Sequence, residues 1–179
     1  MKFALIIQGT SGSGKSTVAR TIARSREVIL LEHDTFLFGT QLHKPEVEQH
    51  FTIGNAMIWE CFKVALESQQ PIIIEGVLAS LDKKINEFDI QQYLDKLNEF
   101  DYKIIRVVLK TDYETAKARM SNRLDKDGCD TAVPKDLFDK TTLALEDIIP
   151  ADVLKIDTSH MSTKDVVETI EKLLPVFNE

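Results

Sequence analysis

Residues 2–24 read KFALIIQGTSGSGKSTVARTIAR, and three patterns follow one another along them. Lys2–Gln8 is apolar on consecutive rather than alternate positions, as a strand buried on both faces of a parallel sheet is. Gly9-Thr10-Ser11-Gly12-Ser13-Gly14-Lys15-Ser16 then matches GxxxxGK[ST] in full. Its glycines permit backbone conformations that a Cβ forbids, so that successive N–H groups converge on phosphate oxygens. A helical pattern over Ser16–Arg24 presents its N-terminus, with Ser16 and Thr17, to the same anion. Lys15 is placed to reach the β- and γ-phosphates, and the Ser16 hydroxyl to hold Mg²⁺. Strand before and helix after are the context such a loop requires, so residues 9–17 are expected to bind a nucleotide.

Four more short apolar segments resemble the first: Glu27–Leu31, Pro71–Glu75, Tyr102–Leu109 and Asp152–Ile156. Helical patterns fill the intervals. Glu46–Ser68 is long and amphipathic, with Gly54 as a potential break; Asp89–Glu99 places Ile90, Tyr93, Leu94 and Leu97 on one face. Thr111–Leu124 opens with Thr111 and Glu114 spaced as a capping box. Pro134 precedes Lys135–Ile148 where a first turn tolerates it, and a last helix runs from a Ser162 cap to Pro175. Strands alternating with helices predict a three-layer α/β architecture with right-handed crossovers.

The 179 residues carry 22 basic and 29 acidic side chains, a net charge of −7, with 43% apolar and 28% charged residues. That is the make-up of one soluble domain spanning residues 1–179, and it excludes collagen-like, disordered and disulfide-stapled chains. The acidic balance weighs against a dedicated nucleic-acid binder, which needs cations to neutralise phosphates. Cys61 and Cys129 stand far apart in no metal-binding spacing, which reads as reduced thiols. The apolar run after Met1 is too short for a leader or a membrane span, so a cytoplasmic protein without a membrane partner is expected, monomeric or homodimeric.

The remaining motifs narrow the chemistry. The sequence has no NKxD for reading guanine, and its third strand ends Ile72-Ile73-Ile74-Glu75-Gly76 without the second acid of a motor-type ATPase. Asp34 follows the second strand, at the carboxyl edge where α/β ligands gather. There it would accept the proton of an attacking hydroxyl; the competing reading makes it the cap of a turn. Glu75 at the end of the third strand would hold Mg²⁺ through water or bind an acceptor hydroxyl, against a purely structural hydrogen bond. Arg119 and Arg123, four apart on one helix face, suit a clamp on the transferred phosphoryl group, against a solvated face pairing with Glu114 or Asp112. The loop 124–133 behind them reads as part of a lid over 119–133.

Residues 33–70 are expected to form the acceptor-binding region. Between Asp34 and Phe62 there is no arginine and one lysine, Lys44. An acceptor with its own phosphate would need cations here, so the pattern points to an uncharged hydroxyl. His43, His50, Phe36, Phe38, Phe51 and Trp59 are candidates for lining its pocket, with core packing the commoner role for the aromatics. Asp125–Asp130 lacks the spacing of a calcium loop. Asp157-Thr158-Ser159 falls where a base would lie, and its backbone suits either adenine contact or a plain loop.

With IIQGTSGSGKST, strand-end Asp34, IIIEG, the Arg119/Arg123 helix and KIDTS, nearly the whole chain resembles the small P-loop kinases. These include adenylate, shikimate, gluconate and chloramphenicol kinases. The Arg119–Arg123 segment followed by Ala132-Val133-Pro134 is most similar to phage-type polynucleotide 5′-kinases and zeta-toxin-like kinases. The resemblance implies a five-stranded parallel sheet of order 2-3-1-4-5, ATP and Mg²⁺ as cofactors, Lys15 on phosphates, Ser16 on Mg²⁺, Asp34 as base and Arg119 with Arg123 on the triphosphate. It breaks a few residues past Asp34, where those groups carry an arginine and this chain has Phe36-Leu37-Phe38. The expectation is an ATP-dependent kinase acting on a small hydroxyl acceptor. A nucleoside or polynucleotide 5′-kinase is the alternative, and a nucleotide-binding regulatory or toxin-like module the reading from another class.

Overall fold

The first strand, β1 (Phe3–Gly9), is buried along its full length, as its unbroken apolar run requires. In the computed structural model, which describes residues 2–38, 47–78, 90–127 and 133–175, β1 is the middle of a five-stranded sheet. Its companions are β2 (Ile29–Glu32), β3 (Ile72–Gly76), β4 (Lys103–Lys110) and β5 (Leu154–Asp157), in the order β2-β3-β1-β4-β5. Every pairing is parallel. The order implied by the family resemblance is the observed one.

Alternate residues of each strand enter two separate cores, because successive side chains leave a sheet on opposite faces. Phe3, Leu5 and Ile7 pack with Val18, Ala19 and Ile22 of α1 (Lys15–Arg24) and with Val166, Val167 and Ile170 of α7 (Thr163–Glu171). Ala4, Ile6, Ile72 and Ile74 meet the other layer, formed by α3 (Val47–Glu67) and α4 (Ile90–Glu99). There Phe62 and Tyr93 have ring centroids 4.8 Å apart, and Trp59 closes the group edge-on to Tyr93 at 5.3 Å. Trp59 and Phe36 are both half-buried and pack against this cluster.

Three local readings change. Gly54 lies inside α3 and does not break it. The ~1 kcal/mol that glycine costs a helix is outweighed by the packing of Ile58, Phe62, Ala65 and Leu66. Secondly, α5 (Tyr113–Asp127) is capped by Asp112, whose carboxylate accepts from the Thr115 N–H at 2.8 Å and the Thr115 hydroxyl at 2.7 Å. These bonds bring the Asp112 carboxyl down to about 2. Thr111 sits one residue too early, at the exit of β4, where its hydroxyl is buried without a partner. The helix also runs to Asp127, past the expected start of the loop at 124. Thirdly, a short helix α2 (His33–Phe38) follows β2 directly and places Asp34 in its first turn.

The other helices agree with the patterns. After Pro134 comes α6 (Lys135–Ile148), and α7 begins at a capping box between Ser162 and Asp165. Among the described residues no helix is long and apolar enough to cross a membrane.

Candidate active site

Parallel strands end together, so β1, β2, β3, β4 and β5 deliver Gly9, Glu32, Gly76, Lys110 and Asp157 to one edge of the sheet. At that edge the loop from Gly9 to Ser16 turns back into α1. Gly12 and Gly14 have φ of +75° and +94°, in the left-handed region that favours glycine. Gly12 is also tied by space, because a Cβ there would lie 2.7 Å from the Ala116 Cα on α5. The loop is thus pressed against α5 as well as opening α1.

Lys15 is buried and its Nζ donates to the Thr10 carbonyl at 3.2 Å. The Ser16 hydroxyl donates to Glu75 Oε1 at 3.1 Å. Glu75 is fully buried, and its Oε2 has no hydrogen-bond partner. Burial pushes its carboxyl above the usual carboxylate range; Lys15 opposes the shift, while the charge of Asp34 adds to it. A hydroxyl and a carboxylate with one unsatisfied oxygen are hard oxygen donors of the kind Mg²⁺ takes. Among the described residues no group of three or more His, Cys, Asp or Glu converges as a metal site.

Asp34 is exposed beside this group. Its neighbours have other work. Glu32 forms a forked ion pair with Arg20 at 2.7 and 3.1 Å. His33 turns inward, and its Nε2 lies 2.9 Å from Asn55 Oδ1 on α3. Burial is the main cause that lowers the imidazole pKa below its ordinary value. Gly76 lets this histidine in, since a Cβ there would lie 2.8 Å from the His33 Cβ.

On the other side of the loop is a cavity of about 320 Å³, in the size range of small-molecule sites. Gly12, Ser13, Gly14 and Thr17 form its phosphate-side wall, Val18, Met161 and Val166 supply apolar surface, and Arg119 with Thr158 closes it. The Arg119 guanidinium donates to the Gly12 carbonyl at 3.3 Å, to the Thr158 hydroxyl at 3.0 Å and to the Thr158 carbonyl at 2.6 Å. It thus faces the loop, not a solvated pairing with Asp112, whose carboxylate is taken by Thr115.

Lys15, Ser16, Asp34, Glu75 and Arg119 therefore gather around one loop. The side chain of Arg123 lies outside the described residues, as do the side chains of Phe38, His50, Phe51 and Asp125–Asp127. Residues 39–46 and 128–132, with His43, Lys44, Cys129 and Asp130, are outside them altogether. The side chains of Thr158, Met161 and Val166 escape sequence reasoning, and so does the His33–Asn55 pair. Only the backbone of 157–159 is singled out by its place after a strand, because hydroxyls and apolar residues of an amphipathic helix carry no local signal.

A family model described as AAA domain matches residues 5–148, from β1 through α6. Among solved structures, a presumed kinase from Chloroflexus aurantiacus is 16% identical, with a TM-score of 0.68 over 97% of this chain and 99% of that one. A sugar kinase from Janibacter is 19% identical, with a TM-score of 0.61 over 96% and 94%. Thymidylate kinase from Candida albicans is 15% identical, with a TM-score of 0.61 over 96% and 90%. No curated protein sequence matches the chain. The fold is that of the small P-loop kinases.

Proposed function

The chain belongs to the AAA domain family, and from that premise we propose that it is an ATP- and Mg²⁺-dependent kinase, moving a γ-phosphoryl group to a hydroxyl of a small uncharged acceptor. The observation that carries this reading is the hydrogen bond from half-buried Ser16 to buried Glu75, whose second carboxylate oxygen is open, with exposed Asp34 near enough for its charge to act on Glu75.

Each residue then has a task. The N–H groups of residues 9–17 and the Lys15 ammonium hold the phosphates. Ser16 and Glu75 would hold Mg²⁺, which when bound offsets phosphate charge. Asp34 orients the acceptor hydroxyl and takes its proton as that oxygen bonds to the γ-phosphorus and the bond from phosphorus to the bridging oxygen breaks, releasing ADP. Arg119 closes the nucleoside side of the site, and Arg123, one turn on, is the partner for the phosphoryl oxygens. The work is positioning and charge stabilisation. An uncharged acceptor is supported by the sequence, which has no arginine from 27 to 105.

Kinases of this fold act on acceptors as different as sugars and thymidylate, so the fold does not choose among them. The test is transfer from γ-labelled ATP to a panel of sugars and polyols, nucleosides and 5′-OH oligonucleotides. Label on a neutral small molecule is the expected result. Label on oligonucleotides, with binding that falls steeply with salt, would replace it with the polynucleotide reading. ATP bound but transferred to nothing would overturn the kinase reading.

A further inference from the structure

A loop that turns its N–H groups inward to bind phosphate must turn carbonyls the other way, and buried carbonyls without donors are costly. Here three of the loop's carbonyls have side-chain donors. That of Thr10 accepts from the Lys15 ammonium at 3.2 Å and the Ser13 hydroxyl at 2.8 Å. The Gly12 carbonyl accepts from Arg119, and the Ser13 carbonyl accepts from the Thr158 hydroxyl at 3.0 Å. The first is internal to the loop; the other two come from α5 and from the residue after β5.

Thr158 joins them. It is 3% exposed. Its hydroxyl lies within donating distance of the Ser13 carbonyl at 3.0 Å and of the Lys110 carbonyl at 3.1 Å. The Lys110 carbonyl also accepts from the Thr158 N–H at 2.8 Å, so that Ser13 depends on the hydroxyl more than Lys110 does. The hydroxyl oxygen accepts from Arg119 at 3.0 Å. The same arginine grips the Thr158 carbonyl and the Gly12 carbonyl. A closed ring of hydrogen bonds therefore runs from Gly12 to Arg119, to Thr158 and back to Ser13.

We propose that Thr158 is a positioning residue for the phosphate loop: its hydroxyl holds Ser13 and Arg119 in place, so that the phosphate cradle and the nucleoside-side wall form one unit. The inference rests on the nucleotide-binding part of the function proposed above. It predicts that Thr158 affects ligands that never reach it. A contact residue of the nucleoside pocket would matter for ATP and not for a bare polyphosphate; a brace of the loop matters for both.

The experiment is calorimetric binding of MgATP and of magnesium tripolyphosphate to the wild type, Thr158→Val and Thr158→Ser, with a thermal melt of each. Valine keeps the shape and removes the hydrogen bonds; serine keeps the hydroxyl. Expected is a loss of about tenfold or more for both ligands in Thr158→Val, since a buried carbonyl loses its donor. Thr158→Ser should remain within about twofold of wild type on the same argument. Weaker ATP with unchanged tripolyphosphate in Thr158→Val would overturn the inference, and so would a lower melting temperature with both affinities unchanged. Should the valine variant fail to fold, Thr158→Ala carries the same comparison. Wild-type protein that binds neither ligand would instead sink the nucleotide reading, and this inference with it.

Discussion

Asp34 and Glu75 are both strand-end carboxylates, yet the fold treats them differently. Glu75 is fully buried with one oxygen on Ser16, and desolvation raises its pKa; Asp34 is exposed. An accessible carboxylate suits a proton acceptor, and a buried one with an open oxygen suits a cation. Asp34→Asn should lower the transfer rate by about 10²–10⁴, the usual contribution of a general base, and leave MgATP affinity within about twofold; equal turnover would remove Asp34 from the mechanism. His33 supplies a pH test. Its pKa is lowered from 6.5 chiefly by burial, so the folded state disfavours the protonated form. That contribution to stability is fully present above 6.5 and is lost as pH falls from there toward the folded-state value. The melting temperature of wild type should therefore drop more steeply below pH 6.5 than that of His33→Gln, and parallel curves would refute this.

At the scale of elements, α2 owes its position to a missing Cβ. It starts at His33, against Gly76 at the end of β3, and is tied to α3 through Asn55. Gly76→Ala would put a Cβ 2.8 Å from the His33 Cβ, which is no flexible tip, so the start of α2 must move. Overpacking of this kind costs about 1–3 kcal/mol, or roughly 2–4 °C per kcal/mol for a chain of this size. Turnover should fall about tenfold or more, because small misplacements of a reacting group are expensive, while MgATP affinity stays near wild type. Loss of ATP binding in that variant would show that the start of α2 supports the nucleotide and not Asp34 alone. The elements themselves could largely be read from sequence, since consecutive apolar runs and helical spacing are local patterns. The cap of α5 could not: Thr111 and Asp112 are both good caps, and only the length of β4 chooses between them.

Across the whole molecule, the two cores on either face of the sheet keep the edge rigid. Phe62, fully buried against Tyr93 and Trp59, belongs to the α3–α4 side. Phe62→Ala should cost about 3–5 kcal/mol by chemical denaturation, without changing MgATP affinity of the folded protein; a loss under 1 kcal/mol would show that this layer adapts. The parts of the site that sequence could name are those contiguous in it, from Gly9 to Thr17, together with the acids at strand ends. Its remaining parts join residues far apart: Thr158 meets Ser13 across 145 positions, and His33 meets Asn55 across 22. No periodicity encodes such meetings; they exist only once the strands are in order.

The place of β1 also bears on how the chain is made. It is made before either of the strands that flank it, because its two neighbours begin at Ile72 and Lys103. At usual synthesis rates, Phe-Ala-Leu-Ile-Ile waits several seconds with both edges unpaired. Such a β-prone, uncharged segment is an aggregation hazard, with Lys2 as its flanking charge. The arrangement that puts the phosphate loop at the centre of the sheet thus leaves the very strand that carries the loop to wait unpaired in the nascent chain.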